Sequence, residues 1–461
     1  MNETKAAQIL DEGMARAKDE YGIPSVAYGL VLNGRLVHAV DPARAYRIAS
    51  MTKSFTAATT LLLRDRGLLR LDDPVVEHLP WVESIGLPPG SAPITIRNLL
   101  TMSGGLPTDD PWGDRQESLP LGDFDALVAA GLSFNRAPGT GFEYSNLGYA
   151  LLGRVISRVT GEDYREFVTR EILQPLGLRS TTYDVDRLGP RTQGYAPVDA
   201  GLVVEPDVVS GAFSPMGGLW STVEDLARWV AFLESAWRAE PSSGPVRASS
   251  RREMQETQVW AFTEATTTNC YGYGLYVSID QDLGRFVSHS GGYPGFGSHM
   301  RWHPESGWGV VALGNRTYAP MGKVAPIILA DIVREDAADR SRQAARAAMW
   351  PQTIAAMDVA ESLLAEWDDA LLDQHAAVNL DMDRPRAERR ADWQRVAAQT
   401  AGFVRRSDSI ESRSPAHARW CVAGPGGEAW LEVLLSPERP PRIQTLAITG
   451  PGASSPGPAS S

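Results

Sequence analysis

The chain has 461 residues, of which 43% are apolar and 22% charged, and its formal charge is −12. That length allows two or three domains at about 150 residues each, with enough apolar chain for a large core. The acidic balance, with no Lys/Arg stripe, excludes a phosphate-backbone partner such as nucleic acid, which needs a concentrated basic surface.

Ala7, Leu10, Met14, Ala17 and Tyr21 recur at three- and four-residue steps, which predicts a helix over residues 3–21. This N-terminal stretch mixes charges throughout, and no run approaches the roughly 18 apolar residues of a membrane span. The expectation is a cytoplasmic protein without membrane attachment. Ser25 to Leu32 and Arg35 to Val40 are apolar runs joined by Asn33-Gly34, a pair suited to a type I′ hairpin turn. A second helix is predicted from Ser50 to about Arg66, with Gly67 as its stop. Residues 72–106 are loop-rich, broken by Pro74, Pro80, Pro88, Pro89 and Pro93.

Further helices are predicted over 145–160 and over 222–236, the latter with Thr222 as N-cap and Asp225 three residues on. From Tyr273 to Asn315 the pattern is that of an antiparallel meander, with strands at 275–279, 285–288, 298–302 and 308–313. After Glu335 an Ala/Arg-rich helical stretch leads to a second module. It comprises helices at 354–372 and 386–401 and strands at 418–422, 428–434 and 442–448. Residues 450–461 carry no large apolar side chain and are expected to be disordered. Nothing in the sequence fixes an oligomeric state.

Three short motifs carry chemistry. In Ser50-Met51-Thr52-Lys53 the hydroxyl and the ammonium share a helix face at i, i+3. A lysine in a partly dry site can lose its proton and become the base a serine nucleophile needs. Tyr144-Ser145-Asn146 opens a helix. The phenol suits proton transfer, and the Asn146 amide suits either a substrate carbonyl or the task of holding Lys53. His289-Ser290-Gly291 ends a predicted strand, where Gly291 and Gly292 permit close approach of an acyl group and His289 offers a proton donor opposite Lys53. Each motif alone has an ordinary reading, as a chance string, a capped helix start or a glycine-rich hairpin. Their order is what gives them weight.

Together these motifs resemble the serine β-lactamase and penicillin-binding-protein superfamily, in the branch of class C β-lactamases, DD-peptidases, D-aminopeptidases and related esterases. Tyr46 to Ala49 before the serine, Leu71 to Pro74, ITIRNLLTMSGGLP at 94–107 and GGLWSTVEDL at 217–226 extend the likeness over about residues 7–333. The resemblance implies a β-lactamase/transpeptidase-like α/β (α+β) fold. An antiparallel sheet flanked by helices would fill residues 1–340, with a helical subdomain at about 67–210. A small α+β domain would follow at 350–449.

The resemblance also implies Ser50 as acylated nucleophile, Lys53 as its base and Tyr144 as the partner that activates Ser50 or the deacylating water. Asn146 would contact the acyl-side amide, His289 would stand where class C enzymes carry lysine, and the Ser50 and Gly292 N–H groups would form the oxyanion hole. Ser290, Gly291, Trp112, Trp220 and Tyr293 would border the substrate. His289 in that place points to peptidase and esterase members, and Gly292 does not favour recognition of a C-terminal carboxylate.

The expected function is hydrolysis of small esters or amides, D-amino-acid substrates among them, on a small molecule or short peptide. An acyltransferase or a peptide-cyclising thioesterase would use the same acyl-enzyme. From a different class, a penicillin-type sensor would acylate without turnover, a reading that the presence of Tyr144 and His289 opposes. No cofactor is expected. His299 and His303 fall on or beside a strand, about 13 Å apart at strand rise, and make no metal site. Cys270 and Cys421 read as two reduced, buried thiols.

Overall fold

Asn33 and Gly34 take φ values of 50° and 73°, the positive angles a type I′ turn demands, and fold β1 (Val26–Leu32) against β2 (Arg35–Val40). Six more strands follow late in the chain: β3 (Val259–Glu264), β4 (Thr267–Tyr271), β5 (Tyr276–Asp280), β6 (Gly284–Tyr293), β7 (Phe296–Trp302) and β8 (Trp308–Gly314). Strand β8 returns to β1 in the register Val26↔Gly314 to Leu32↔Trp308. The result is one antiparallel eight-stranded sheet ordered β2-β1-β8-β7-β6-β5-β4-β3. Strands β3 and β4, and the full length of β6, lie outside the strands expected from the sequence. Trp260 and Phe262 on edge strand β3 are exposed, so that strand lacks the buried-face signal that period-2 reasoning relies on.

The computed structural model describes residues 1–199, 201–238 and 240–451, with backbone alone for 340–348. The expectation for the tail falls, from residue 452 on, outside the described residues. The chain divides into two compact units, Met1–Arg334 and Glu335–Ser461. In the first, both faces of the sheet are covered, and the alternation of β8 records it. Val310 and Ala312 pack with Leu10 and Met14 of α1 (Glu3–Glu20) and with Leu329 and Ile332. Val311 and Leu313 join the opposite core, with Phe55 of α2 (Thr52–Asp65), Leu151 of α3 (Asn146–Thr160) and Trp229 of α4 (Val223–Glu234). Every residue of β8 is buried, which explains its unbroken apolar run.

Helix boundaries follow their caps. Ser145 accepts from Gly148 N–H ahead of α3, and Thr222 accepts from Asp225 N–H ahead of α4. Helix α5 (Met321–Ala348) follows the last sheet strand. The loop-rich stretch after Gly67 contains short helices, among them Val75–His78 and Ile96–Leu100.

The second unit contains α6 (Pro351–Ala365), α7 (Asp369–His375) and α8 (Arg386–Thr400), then β9 (Val404–Arg405), β10 (His417–Gly424), β11 (Gly427–Leu435) and β12 (Ile443–Thr449), paired in that order. The single helix expected over 354–372 is two. Asp368, in extended conformation, accepts from the N–H groups of Ala370 and Leu371 and starts a new helix, the preference of an Asp N-cap over helix continuation. Cys270 and Cys421 are free and buried. Among the described residues no helix is long and apolar enough to cross a membrane.

Candidate active site

Ser50 sits in a single 3₁₀ turn, Ala49–Met51, that leads into α2. The α-helix therefore starts two residues later than the sequence predicts, because Ala49 takes φ 48°, a left-handed conformation costing about 1–3 kcal/mol outside glycine. Gly291 of β6 lies against this turn. A Cβ there would stand 2.3 Å from Ile48 O, and Ser298 Oγ donates to that same carbonyl at 2.8 Å. In a 3₁₀ turn the N–H groups ahead of the first i→i−3 bond have no intrahelical acceptor. That first bond runs from Met51 N–H to Ile48 O, so the Ser50 N–H precedes it.

Lys53 is fully buried. Its Nζ lies 2.8 Å from Ser50 Oγ, 2.7 Å from Asn146 Oδ1 and 2.9 Å from Met216 O. Two of those three partners are carbonyl oxygens, which only accept. A neutral amine has two N–H groups to satisfy them, and its lone pair then faces the Ser50 hydroxyl. Burial drives the Lys53 pKa down to about 8, against the opposing pull of Asp110, Asp114, Asp109 and Glu117.

Asp109 and Asp110 were not singled out from the sequence, yet they organise the start of α3. Asp109 accepts from the N–H groups of Asn146 at 2.6 Å and Leu147 at 2.9 Å. Asp110 Oδ1 accepts from Asn146 Nδ2 at 2.9 Å, which turns the amide so that Oδ1 faces Lys53. Both ends of the amide are thus engaged within the protein. Of the two tasks open to Asn146, the one seen in this structure is holding Lys53.

Tyr144 presents its ring to the ammonium, with Nζ 5.0 Å from the centroid. Burial pushes the phenol well above its ordinary pKa, against a smaller opposing pull from the Ser50 hydroxyl, so it is protonated at neutral pH. His289 departs from the donor role expected of it. Its Nδ1 lies 2.6 Å from the Ser290 carbonyl, so Nδ1 carries the hydrogen, and Nε2 accepts from Tyr271 O–H at 3.1 Å. Burial first, then the Lys53 charge, lower its pKa to about 3. A neutral ring with both nitrogens occupied braces Tyr144, 6.4 Å away between centroids; it offers no proton to a substrate.

A cleft of about 750 Å³ is lined by Ser50, Tyr144, His289, Ser290 and Gly292, and also by Asp110, Asp114 and Tyr318. Asp114 is buried, accepts from Tyr318 O–H at 3.0 Å and has its pKa raised to about 7, chiefly by burial. Gly291 packs behind the cleft wall as described. The three aromatic residues expected at its border are elsewhere. Trp112 is 41% exposed and meets Phe213 edge-on. Trp220 is held by the pairing Arg47↔Trp220 and packs on Phe296. Tyr293 lies buried under the Arg47 guanidinium, 4.2 Å from its ring centroid. His299 and His303 take separate partners, Ser290 Oγ for the first and Ser306 Oγ and Leu283 O for the second.

Residues 6–334 match the protein-family model described as Beta-lactamase. The chain is 30% identical over 284 residues to protein flp of Staphylococcus aureus (strain MW2), covering 60% of this chain and 53% of that protein. It is 29% identical over 280 residues to penicillin-binding protein 4* of Bacillus subtilis (strain 168), covering 55% and 57%. The chain spans about half the length of these curated relatives. Among solved structures, the octameric penicillin-binding protein homologue from Pyrococcus abyssi aligns with TM-score 0.59 and 22% identity, over 96% of this chain and 100% of that one. A class C beta-lactamase aligns with TM-score 0.58 and 18% identity, over 72% and 97%.

Proposed function

The chain belongs to the β-lactamase family of acyl-enzyme serine hydrolases, and on that premise we propose that it cleaves small esters or amides through an acyl-Ser50 intermediate. The observation that carries this reading is the environment of Lys53, where two acceptor-only carbonyls leave one position for Ser50 at 2.8 Å. In the proposed reaction Lys53 takes the Ser50 proton as Oγ attacks the substrate carbonyl. The developing oxyanion lies between the N–H groups of Ser50 and Gly292. Tyr144, protonated at rest, gives its proton to the leaving group and is restored from Lys53. Water then enters; the same pair removes its proton as its oxygen attacks the acyl carbon, and returns that proton to Ser50 Oγ as the Oγ–acyl bond breaks. His289 keeps Tyr144 in place.

Asp110 and Asp114 beside Ser50 favour an acyl group that carries an amine, as an amino-acid amide of either hand does. The test has two steps. A fluorophosphonate probe should label Ser50, mapped by mass spectrometry, and p-nitrophenyl acetate should turn over steadily. A single stoichiometric burst would instead identify a non-turnover acyl-acceptor, and an amine-dependent shift in products would identify an acyltransferase. L- and D-amino-acid amides assayed side by side set the stereochemical preference.

A further inference from the structure

The cleft that holds Ser50 continues across the sheet face bearing Ser288, Ser290, His299 and Arg301. Strands β6 and β7 place these side chains together, with Ser288 opposite Arg301 and Ser290 opposite His299. Arg301 stacks on Phe286, its Cζ 4.4 Å from the ring centroid, and its Nε is buried with no hydrogen-bond partner. Among the described residues its guanidinium enters no hydrogen bond or ion pair.

The nearby acid, Asp280, accepts from Thr267 Oγ1 and from the N–H groups of Asp282 and Leu283, and makes no hydrogen bond to Arg301. Burial lowers the Arg301 pKa to about 10, against the opposing pull of Asp280. His299, 2% exposed, adds an orphaned Nε2 to the same wall. A half-buried guanidinium and a ring nitrogen without hydrogen bonds thus belong to residues lining one cleft, and such groups invite a polar partner.

We propose that Arg301 anchors a carboxylate at the remote end of the substrate. Gly292 and Ser288 lie four strand steps apart, about 13 Å at strand rise, so the carboxylate lies about four residues from the acylated bond. With Asp280 and Glu264 lining the same cleft, a single guanidinium suits a monoanion better than a phosphate dianion. With the acids beside Ser50, this makes a short peptide with a free C-terminus the fitting substrate. That step rests on the hydrolase reading above.

The test measures binding to the full-length Ser50→Ala protein by calorimetry, so that it does not depend on turnover. The probes are N-acetylated glycine peptides of two, three and four residues, each as free acid and as C-terminal amide. The four-residue acid should bind about tenfold tighter than its amide, and the two-residue pair should differ little. Adding Arg301→Gln should abolish the preference, and Arg301→Lys, which keeps charge but loses the planar fork, should retain part of it. Equal binding of acid and amide, a preference that survives Arg301→Gln, or no binding by any peptide would overturn the anchor. Failure of the hydrolase reading shows separately, as absence of p-nitrophenyl acetate turnover by the unaltered protein.

Discussion

Removing the charge of Asp110 without its shape isolates the electrostatics of Lys53. In Asp110→Asn the new amide oxygen can still accept from Asn146 Nδ2, so the chain Asp110–Asn146–Lys53 stays assembled. What disappears is a carboxylate that favours the ammonium. One planar amide bridges the two charges through contacts of 2.7 and 2.9 Å, which puts them at most about 8 Å apart. At an effective dielectric of about 20 their attraction is about 2 kcal/mol, or about 1.5 pKa units. Asp110 is exposed, and solvent screening reduces this to about one unit or less.

The sign is fixed: losing a nearby anion makes the proton on Lys53 easier to remove. The kcat/KM of the unaltered protein for a neutral ester should rise with pH through the Lys53 pKa of about 8. In Asp110→Asn that limb should move down by about one unit, with activity gained below pH 7 and little change at the plateau. Stopped-flow or plate assays of p-nitrophenyl acetate across pH 5–10 measure it. A limb that stays in place or moves upward would show that Lys53 is not the titrating base.

Other substitutions probe the remaining parts of the site. Asn146→Asp places an anion against Nζ and should shift the same limb upward by more than one unit, read from the same pH series. Gly291→Val puts a side chain where a Cβ already comes within 2.3 Å of Ile48 O; it should lower stability by about 1–3 kcal/mol in urea unfolding and reduce kcat by displacing the Ser50 turn. Arg47 and Glu117 form a buried pair, Nη2 to Oε2 3.4 Å, and Glu117 Oε1 accepts from Ser214 Oγ. Glu117→Gln leaves Arg47 buried without a counter-charge and should cost about 3–5 kcal/mol. The paired change Arg47→Met/Glu117→Leu should recover most of that loss, measured by the same denaturation.

What could be read from the sequence was local. Ser50 and Lys53 are one helical turn apart, and the i, i+3 rule joins them even though a 3₁₀ turn replaces the first turn of α-helix. Asn33-Gly34 announced its hairpin by backbone chemistry alone. The second ring around Lys53 had no such signal. The Met216 acceptor is a main-chain carbonyl 163 residues away, and any residue type could supply it. Asp110 acts across 36 residues, where nothing in its spacing ties it to Asn146. The aromatic residues misled for a related reason. Trp220 does precede α4 by three residues, but a two-residue strand pairs it with Arg47 and turns the indole into Phe296.

The same distinction separates His289 from Lys53, although both are buried polar groups at the same cleft. Burial alone would neutralise each, since it penalises the charged form of any base. Lys53 is restrained from going far by four carboxylates, so its pKa settles near working pH and it can both accept and return a proton. For His289 no carboxylate acts against burial, and the neighbouring Lys53 charge adds to the shift, leaving it neutral throughout. Its hydrogen bonds to Ser290 O and Tyr271 O–H then fix one tautomer and one ring orientation. The lysine is thereby suited to moving a proton, and the histidine to holding a phenol where that proton must pass.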